Sequence, residues 1–176
     1  MPHLKLFIPF CLIILYTASC IQPPIDKKTV RSLDIKRFMG KWFEIARFDH
    51  QFEHNLVGST VEYELLPTGE INVTNTGYWG DFDGTCCRAC GVAKIPDFNN
   101  PGSMRITFFL KFYAEYNIME IDEQNYSYAL VGSNTCHYLW LLSRTPDLSE
   151  KHIKHLLHKA KQRGYDISML KWVKHK

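Results

Sequence analysis

Four cysteines have a type and spacing that could carry chemistry: Cys86, Cys87 and Cys90 form a tight group, and Cys136 stands apart. In an oxidising compartment such residues form disulfides. The candidate bridges join Cys86 or Cys87 to Cys90, or one of these three to Cys136, and sequence alone does not choose among them. We predict disulfides. The alternatives are free thiols, a metal site and redox chemistry.

Three histidines recur at a spacing of three, His152, His155 and His158. On a helix they spread over a wide angle and no carboxylate joins them, so we predict solvated side chains and no metal site. The acids Glu62 and Glu64 form no paired carboxylate site. Because the chain also lacks a Gly-x-Ser-x-Gly motif, a phosphate loop and a nucleotide fingerprint, we predict no catalytic residue and no cofactor. We therefore expect a binding protein and not an enzyme.

The amino terminus has the composition of an export signal. An apolar run, Leu6–Leu15, follows a basic start, is too short to span a bilayer, and precedes small residues. Thr17-Ala18-Ser19-Cys20 resembles a bacterial lipoprotein box, in which the cysteine is lipidated. Residues 1–19 are therefore predicted to be a signal peptide, Cys20 the lipid-bearing residue and residues 20–32 a tether. The alternative is ordinary cleavage, which leaves a soluble secreted protein.

Eight segments that alternate apolar and polar residues follow the tether, and short turns separate them. This pattern is typical of an all-β fold, an eight-stranded antiparallel up-and-down barrel with room for one small ligand. The predicted strands are Trp42–Phe48, Ser59–Leu65, Ile71–Gly77, Cys87–Ile95, Met104–Lys111, Tyr116–Asp122, Tyr126–Gly132 and His137–Ser143.

One helix is predicted after the strands, with Asp147 as its amino-terminal cap and Gly164 as its end. Its apolar stripe would pack on the barrel, and a last short strand covers Met169–Val173. The domain is predicted to span residues 33–176. The region from Ser149 holds eight basic and two acidic residues. We interpret this as a solvated face, with weak contact to an anionic membrane as the alternative.

Three stretches of the sequence resemble the lipocalin family. They are Asp34–Phe52, which contains the signature Gly40-Lys41-Trp42, then Phe108–Asp122, and then Tyr138–Pro146. The chain is similar to membrane-anchored bacterial lipocalins and, more distantly, to apolipoprotein D. The resemblance implies a barrel whose floor is sealed by Arg144 stacked on Trp42, with the helix packed outside.

The same resemblance implies a fatty acid or lysophospholipid ligand and attachment to the cell outer membrane through lipidated Cys20. A secreted lipocalin with another apolar ligand, and a lipocalin-type enzyme with a pocket cysteine, are the alternatives. The sequence has no basic groove with interleaved aromatic residues, so we expect no nucleic-acid partner. A homodimer is left open.

The ligand-lining residues are predicted from strand parity, counted from Trp42 and Arg144. The alternative is that these side chains fill the barrel completely. Tyr113, Tyr116 and Tyr138 are expected near the mouth, where they would hold a headgroup or carboxylate. The other predicted lining residues are Glu44, Ala46, Phe48, Val61, Tyr63, Val73, Phe108, Ile118, Tyr128, Trp140 and Leu142.

Overall fold

The computed structural model describes residues 24–109 and 112–176, and within these ranges strands dominate. The helices are α1 (Ile35–Phe38) and α2 (Glu150–Gln162), and a 3₁₀ turn covers Ile167–Met169. The strands are β1 (Gly40–Phe48), β2 (Leu56–Leu65), β3 (Ile71–Trp79), β4 (Cys86–Lys94), β5 (Ser103–Thr107), β6 (Ala114–Ile121), β7 (Tyr128–Gly132), β8 (Leu139–Ser143) and β9 (Leu170–Trp172).

The strands form one closed antiparallel barrel. Each of β1 to β8 pairs with its sequence neighbour, and β1 also pairs with β8, which closes the sheet. The short β9 pairs with the last part of β1 and is a ninth strand of the same sheet. The predicted eight-stranded up-and-down barrel with a carboxy-terminal helix is therefore confirmed. No helix in the described ranges is long and apolar enough to cross a bilayer.

The two ends of the barrel differ. The floor carries α1, where Asp34 caps the first turn by accepting a hydrogen bond from the Arg37 backbone N–H. The mouth is the opposite end, formed by the loops β1–β2, β3–β4, β5–β6 and β7–β8. Strand β5 ends at Thr107 and so is shorter than the predicted Met104–Lys111. The aromatic residues that follow Thr107 therefore belong to a mouth loop.

Two apolar cores lie on the two sides of the barrel wall. The inner core includes Phe38, Trp42 and Ile118. The outer core lies between the wall and α2, where Leu156 and Ala160 are fully buried. Helix α2 begins after Ser149, whose hydroxyl accepts a hydrogen bond from the His152 N–H, so the prediction of Asp147 as the cap was wrong. Gly164 ends the helix with a φ of +91°, a conformation that glycine adopts without steric cost.

A β-bulge in β1 shifts the register against β8 between Glu44 and Ala46. A bulge inserts one residue and reverses the inward and outward alternation beyond it. Glu44 therefore faces the barrel interior, whereas Ala46 and Phe48 belong to the outer core. The prediction that Ala46 and Phe48 point inward was wrong for this reason, and Arg47 takes the inward position.

Residues 24–33 lie along the barrel, and we call them the amino-terminal strap. Ile25 is buried in the outer core, and the Val30 N–H donates to the Ile118 carbonyl at 2.9 Å. The structure thus places the second part of the predicted tether against the wall. The predicted signal peptide and Cys20 lie outside the described residues.

Candidate ligand-binding cavity

The barrel encloses a cavity of about 470 Å³ that opens at the mouth. This volume lies within the roughly 300–1,000 Å³ range of small-molecule sites, so the barrel is not filled by its own side chains. The lining residues are Glu44, Phe52, Glu53, Val61, Tyr63, Val73, Asn75, Ile106, Phe108, Phe112, Ala114, Glu115, Tyr116, Ser133, Asn134, Thr135, Tyr138, Trp140 and Leu142.

Most of the sequence-predicted lining residues meet in this cavity. They are Glu44, Val61, Tyr63, Val73, Phe108, Tyr116, Tyr138, Trp140 and Leu142. Ile118 faces inward but is fully buried in the inner core and does not line the cavity. Tyr113 is 38% exposed, and the Lys94 Nζ lies 5.5 Å from its ring centroid, away from the lining.

The prediction that Tyr128 points into the barrel was wrong. Its ring lies 4.6 Å from the His152 ring on α2, and its neighbour Ala129 takes the inward position instead. The error is a one-residue slip of register on β7. Sequence reasoning also missed Ile106, which alternation with Phe108 could have identified, and the mouth-loop residues Phe52 and Phe112, which have no periodic signal.

The floor of the barrel is sealed by Trp42 and Arg144. The Arg144 guanidinium carbon lies 3.8 Å from the centroid of the fully buried indole, a favourable cation–π geometry. Arg144 also donates to the backbone carbonyls of Lys41 and Met39, both at 2.8 Å. The bond to Met39 satisfies a carbonyl at the carboxy end of α1, which has no further helical turn to bond it, and the bond to Lys41 ties Arg144 to β1. These contacts give the pair a structural role.

Two tyrosines supply hydroxyl groups to the cavity wall. Tyr63 and Tyr116 share a short hydrogen bond between their hydroxyl groups. Burial raises the pKa of both phenols, to well above the ordinary value for Tyr63. Both hydroxyls therefore keep their protons in the neutral range, and the pair is an uncharged polar point on an aromatic wall.

A buried charged cluster occupies the upper wall. Arg47 is 3% exposed, and its Nη1 lies 3.2 Å from Glu44 Oε2. Its Nη2 donates to the backbone carbonyls of Glu53 and Leu56, and its Nε lies 3.5 Å from Glu53 Oε2. The Trp140 indole N–H donates to the same Glu53 oxygen at 3.4 Å. The cluster thereby ties the β1–β2 mouth loop to the wall.

One arginine in this cluster faces two carboxyl groups. Burial, followed by the charge of Glu53, raises the pKa of Glu44 to about 8, although Arg47 opposes the shift. Burial also raises the pKa of Glu53. At neutral pH the cluster therefore favours one carboxylate and one retained proton. The ionisable carboxyl groups of the described lining are Glu44, Glu53 and Glu115, and the lining contains no lysine, arginine or histidine.

The four described cysteines are free thiols, so the disulfide prediction was wrong. Cys86, Cys87 and Cys90 all lie on β4, where a rise of about 3.4 Å per residue separates Cys87 from Cys90 by roughly 10 Å. A disulfide needs Cα atoms within about 7 Å. Cys136 packs against the outer core, and β5 and β6 separate β4 from its loop. None of these cysteines lines the cavity.

A closed barrel with a sealed floor and an apolar cavity open at the mouth is the architecture of a protein that binds small apolar molecules. Residues 33–175 match the family model described as a lipocalin-like domain. The chain therefore belongs to the lipocalin family, which confirms the resemblance that the sequence motifs carry.

Named relatives are similar in sequence to this chain over most of their length. The outer membrane lipoprotein Blc of Vibrio cholerae is 36% identical over 168 residues, which cover 96% of each chain. The protein of the same name from Escherichia coli K12 is 38% identical, covering 88% of this chain and 86% of the relative. Apolipoprotein D of mouse is 30% identical, covering 88% and 82%.

Solved structures show the same fold at lower identity. Insecticyanin from the tobacco hornworm superposes with a TM-score of 0.70 at 20% identity, and the match covers 86% of this chain and 85% of that one. As a member of this family, the chain is a binding protein and not an enzyme. The two Blc relatives are named as outer membrane lipoproteins.

Proposed function

We propose that this lipocalin binds and carries single-chain lipids, fatty acids or lysophospholipids, in a bacterial cell envelope, and that lipidated Cys20 holds it on the outer membrane. The observation that carries the proposal is the cavity of about 470 Å³, whose walls are mainly aromatic and aliphatic. Transfer of an acyl chain from water to such walls is favourable by about 0.8 kcal/mol for each buried CH₂.

The polar groups of the cavity favour a lysophospholipid over a free fatty acid. A carboxylate that entered the cavity would meet no free cation, because Glu44 and Glu53 already hold Arg47 and the described lining contains no lysine, arginine or histidine. An uncharged glycerol ester would meet the Tyr63 and Tyr116 hydroxyl groups. A lysophospholipid therefore suits the cavity better than a fatty acid does, because it places an uncharged ester inside and keeps its charged headgroup outside. An unpaired buried charge is costly.

The membrane anchor is supported by the lipoprotein-like sequence that ends at Cys20 and by the names of the relatives. The strap lies against the barrel from Pro24 onward. Four residue steps separate Cys20 from Pro24 and span at most about 14 Å when extended. A lipid on Cys20 would thus keep the barrel close to the membrane surface.

Native mass spectrometry of the purified protein tests the ligand class, and we expect a co-purifying lysophospholipid or fatty acid. The same spectrum reports whether a second copy of the chain is a partner. A titration with a fluorescent fatty acid then compares the wild type with Trp140→Asp, which places a charge in the cavity wall. We expect weaker binding by the variant at an unchanged fold, and equal affinities would remove Trp140 from the binding site.

Cell fractionation tests the anchor. The wild type should appear in the membrane fraction and Cys20→Ala in the soluble fraction, because one acylated residue provides the attachment. A matched control, Ser19→Ala, keeps the cysteine and should remain with the membrane. Equal distribution of the wild type and Cys20→Ala between the fractions would show that no lipid anchor exists.

A further inference from the structure

A second hollow lies on the outside of the barrel, between the amino-terminal strap and strands β5 and β6, with a volume of about 420 Å³. We call it the strap groove. Its lining residues are Lys27, Lys28, Thr29, Arg31, Asn100, Ser103, Glu115, Asn117 and Asn134. Unlike the cavity, the groove is polar and carries three basic side chains.

Hydrogen bonds hold the two walls of the groove in place. The strap is fixed by Val30, which donates to the Ile118 carbonyl, and by Thr29, whose hydroxyl donates to the Asn100 side chain. On the barrel side, Asn117 is buried, and its amide N–H donates to Asn134 Oδ1 at 3.1 Å. The groove is therefore a built surface between two fixed elements and not a gap beside a loose end.

The basic residues of the groove are not neutralised within the described chain. Lys27, Lys28 and Arg31 are exposed, and none has a carboxylate within 4.0 Å in the ranges that the structure describes. Asp26, their acidic neighbour on the strap, is instead 3.6 Å from Arg163. The groove thus offers an outside anion three cationic side chains against the single carboxylate of Glu115.

The groove and the cavity meet at one point of the rim. Glu115 and Asn134 line both hollows. The β6–β7 ladder ends on the mouth side at the pair Asn117 and Gly132, so Glu115 and Asn134 face each other just beyond the last paired residues. This unpaired notch connects the apolar interior with the basic exterior over the rim of the barrel.

We propose that the strap groove is a phosphate subsite for a lipid whose acyl chain lies in the cavity. The inference rests on the proposed function and deepens it. The ligand is a lysophospholipid: its glycerol crosses the notch between Glu115 and Asn134, and its phosphate binds Lys27, Lys28 and Arg31. Charge-assisted hydrogen bonds from lysine and arginine to phosphate are strong. The apolar cavity thus binds the acyl chain, and the cationic groove binds the phosphate of the same ligand.

The test compares three lipids with the same acyl chain: lysophosphatidylcholine, a monoacylglycerol and a free fatty acid. It uses the exported chain with Cys20→Ala, so that binding is measured without detergent. The triple variant Lys27→Gln, Lys28→Gln and Arg31→Gln should bind lysophosphatidylcholine roughly tenfold more weakly or worse, equivalent to about 1.4 kcal/mol. Its affinity for the monoacylglycerol should not change, because that lipid has no phosphate.

The control variant carries Lys151→Gln, Lys161→Gln and Lys171→Gln, which remove the same charge from exposed positions away from the groove. It should keep the wild-type preference for lysophosphatidylcholine. Added salt should reduce that preference in the wild type and not in the groove variant. Inorganic phosphate alone should bind far more weakly than lysophosphatidylcholine, because only the lipid also fills the cavity, and equal affinities would overturn the two-part site.

Two other results would also overturn the subsite. One is an unchanged affinity of the groove variant for lysophosphatidylcholine. The other is an equal loss for lysophosphatidylcholine and for the monoacylglycerol, which would indicate general damage to the cavity. If the wild type binds none of the three lipids, the proposed function fails, and the subsite fails with it. If it binds the monoacylglycerol and lysophosphatidylcholine equally, only the subsite fails.

Discussion

Replacement of Glu44 by glutamine should change how the stability of the barrel depends on pH. Glu44 is 3% exposed and shares Arg47 with Glu53. Its pKa rises from 4.5 to about 8 in the folded protein, chiefly because burial penalises the charged form. Between these two values the folded protein holds a proton that the unfolded chain has released. Stability contributed by this proton is complete below pH 4.5 and is lost as the pH rises through about 8.

The size of the effect follows from the same two values. Each pKa unit corresponds to about 1.4 kcal/mol, so loss of the Glu44 proton should make the wild type roughly 3 kcal/mol less stable at pH 9 than at pH 6. For a chain of this length that loss corresponds to roughly 6–12 °C in melting temperature. Glu44→Gln keeps the shape and hydrogen-bonding capacity of the protonated acid but cannot ionise, so this part of the loss should disappear.

Urea unfolding at pH 6, 7, 8 and 9, with tryptophan fluorescence as the readout, measures the effect directly. Glu62→Gln is the matched control, because Glu62 is an exposed glutamate on the neighbouring strand β2. We expect the wild type and Glu62→Gln to lose stability in parallel above pH 6, and Glu44→Gln to lose less and to exceed both at pH 9. If all three proteins show the same pH dependence, Glu44 is ionised throughout this range and the argument from burial fails.

Three other substitutions test the cores and the charged cluster. Trp42→Ala should lower the free energy of unfolding by about 3–5 kcal/mol, because it empties the barrel floor; a change below 1 kcal/mol by urea unfolding would contradict a core role. Arg47→Met should cost about 3–5 kcal/mol at pH 8, since it leaves two buried acids without a cation, and the cost should shrink at pH 5. Phe48→Ala should cost about 3–5 kcal/mol yet leave lipid affinity unchanged, because Phe48 lies in the outer core; weaker binding in a lipid titration would place it inside.

The barrel itself was predictable because its signals are local and repeated. Eight alternating segments with turn residues between them specify an antiparallel barrel, and Trp42 with Arg144 marks its floor. The cavity wall was predictable wherever alternation continues from those two residues. Val61, Val73 and Trp140 are examples, and each lines the cavity.

The errors come from features that alternation cannot represent. The bulge after Glu44 leaves no compositional signal, because Ile45, Ala46 and Phe48 are apolar on either face. The disulfide error has another origin, because the predicted strand Cys87–Ile95 already placed Cys87 and Cys90 too far apart on one extended segment, and the structure adds Cys86 to that strand. The strap groove depends on residues far apart in the sequence, such as Arg31 and Asn134, which the closed barrel brings to one place.

The bulge in β1 has a consequence for protein engineering. Deletion of Ile45 would remove the extra residue and restore strict alternation against β8. Arg47 would then still face the barrel interior and Phe48 would stay in the outer core, because the residues after the deletion keep their partners on β8. A library that redesigns the pocket for other ligands can therefore shorten β1 at Ile45 and leave its inward side chains unchanged. The partner across the ladder, and not the position along the chain, determines which side chains a ligand meets.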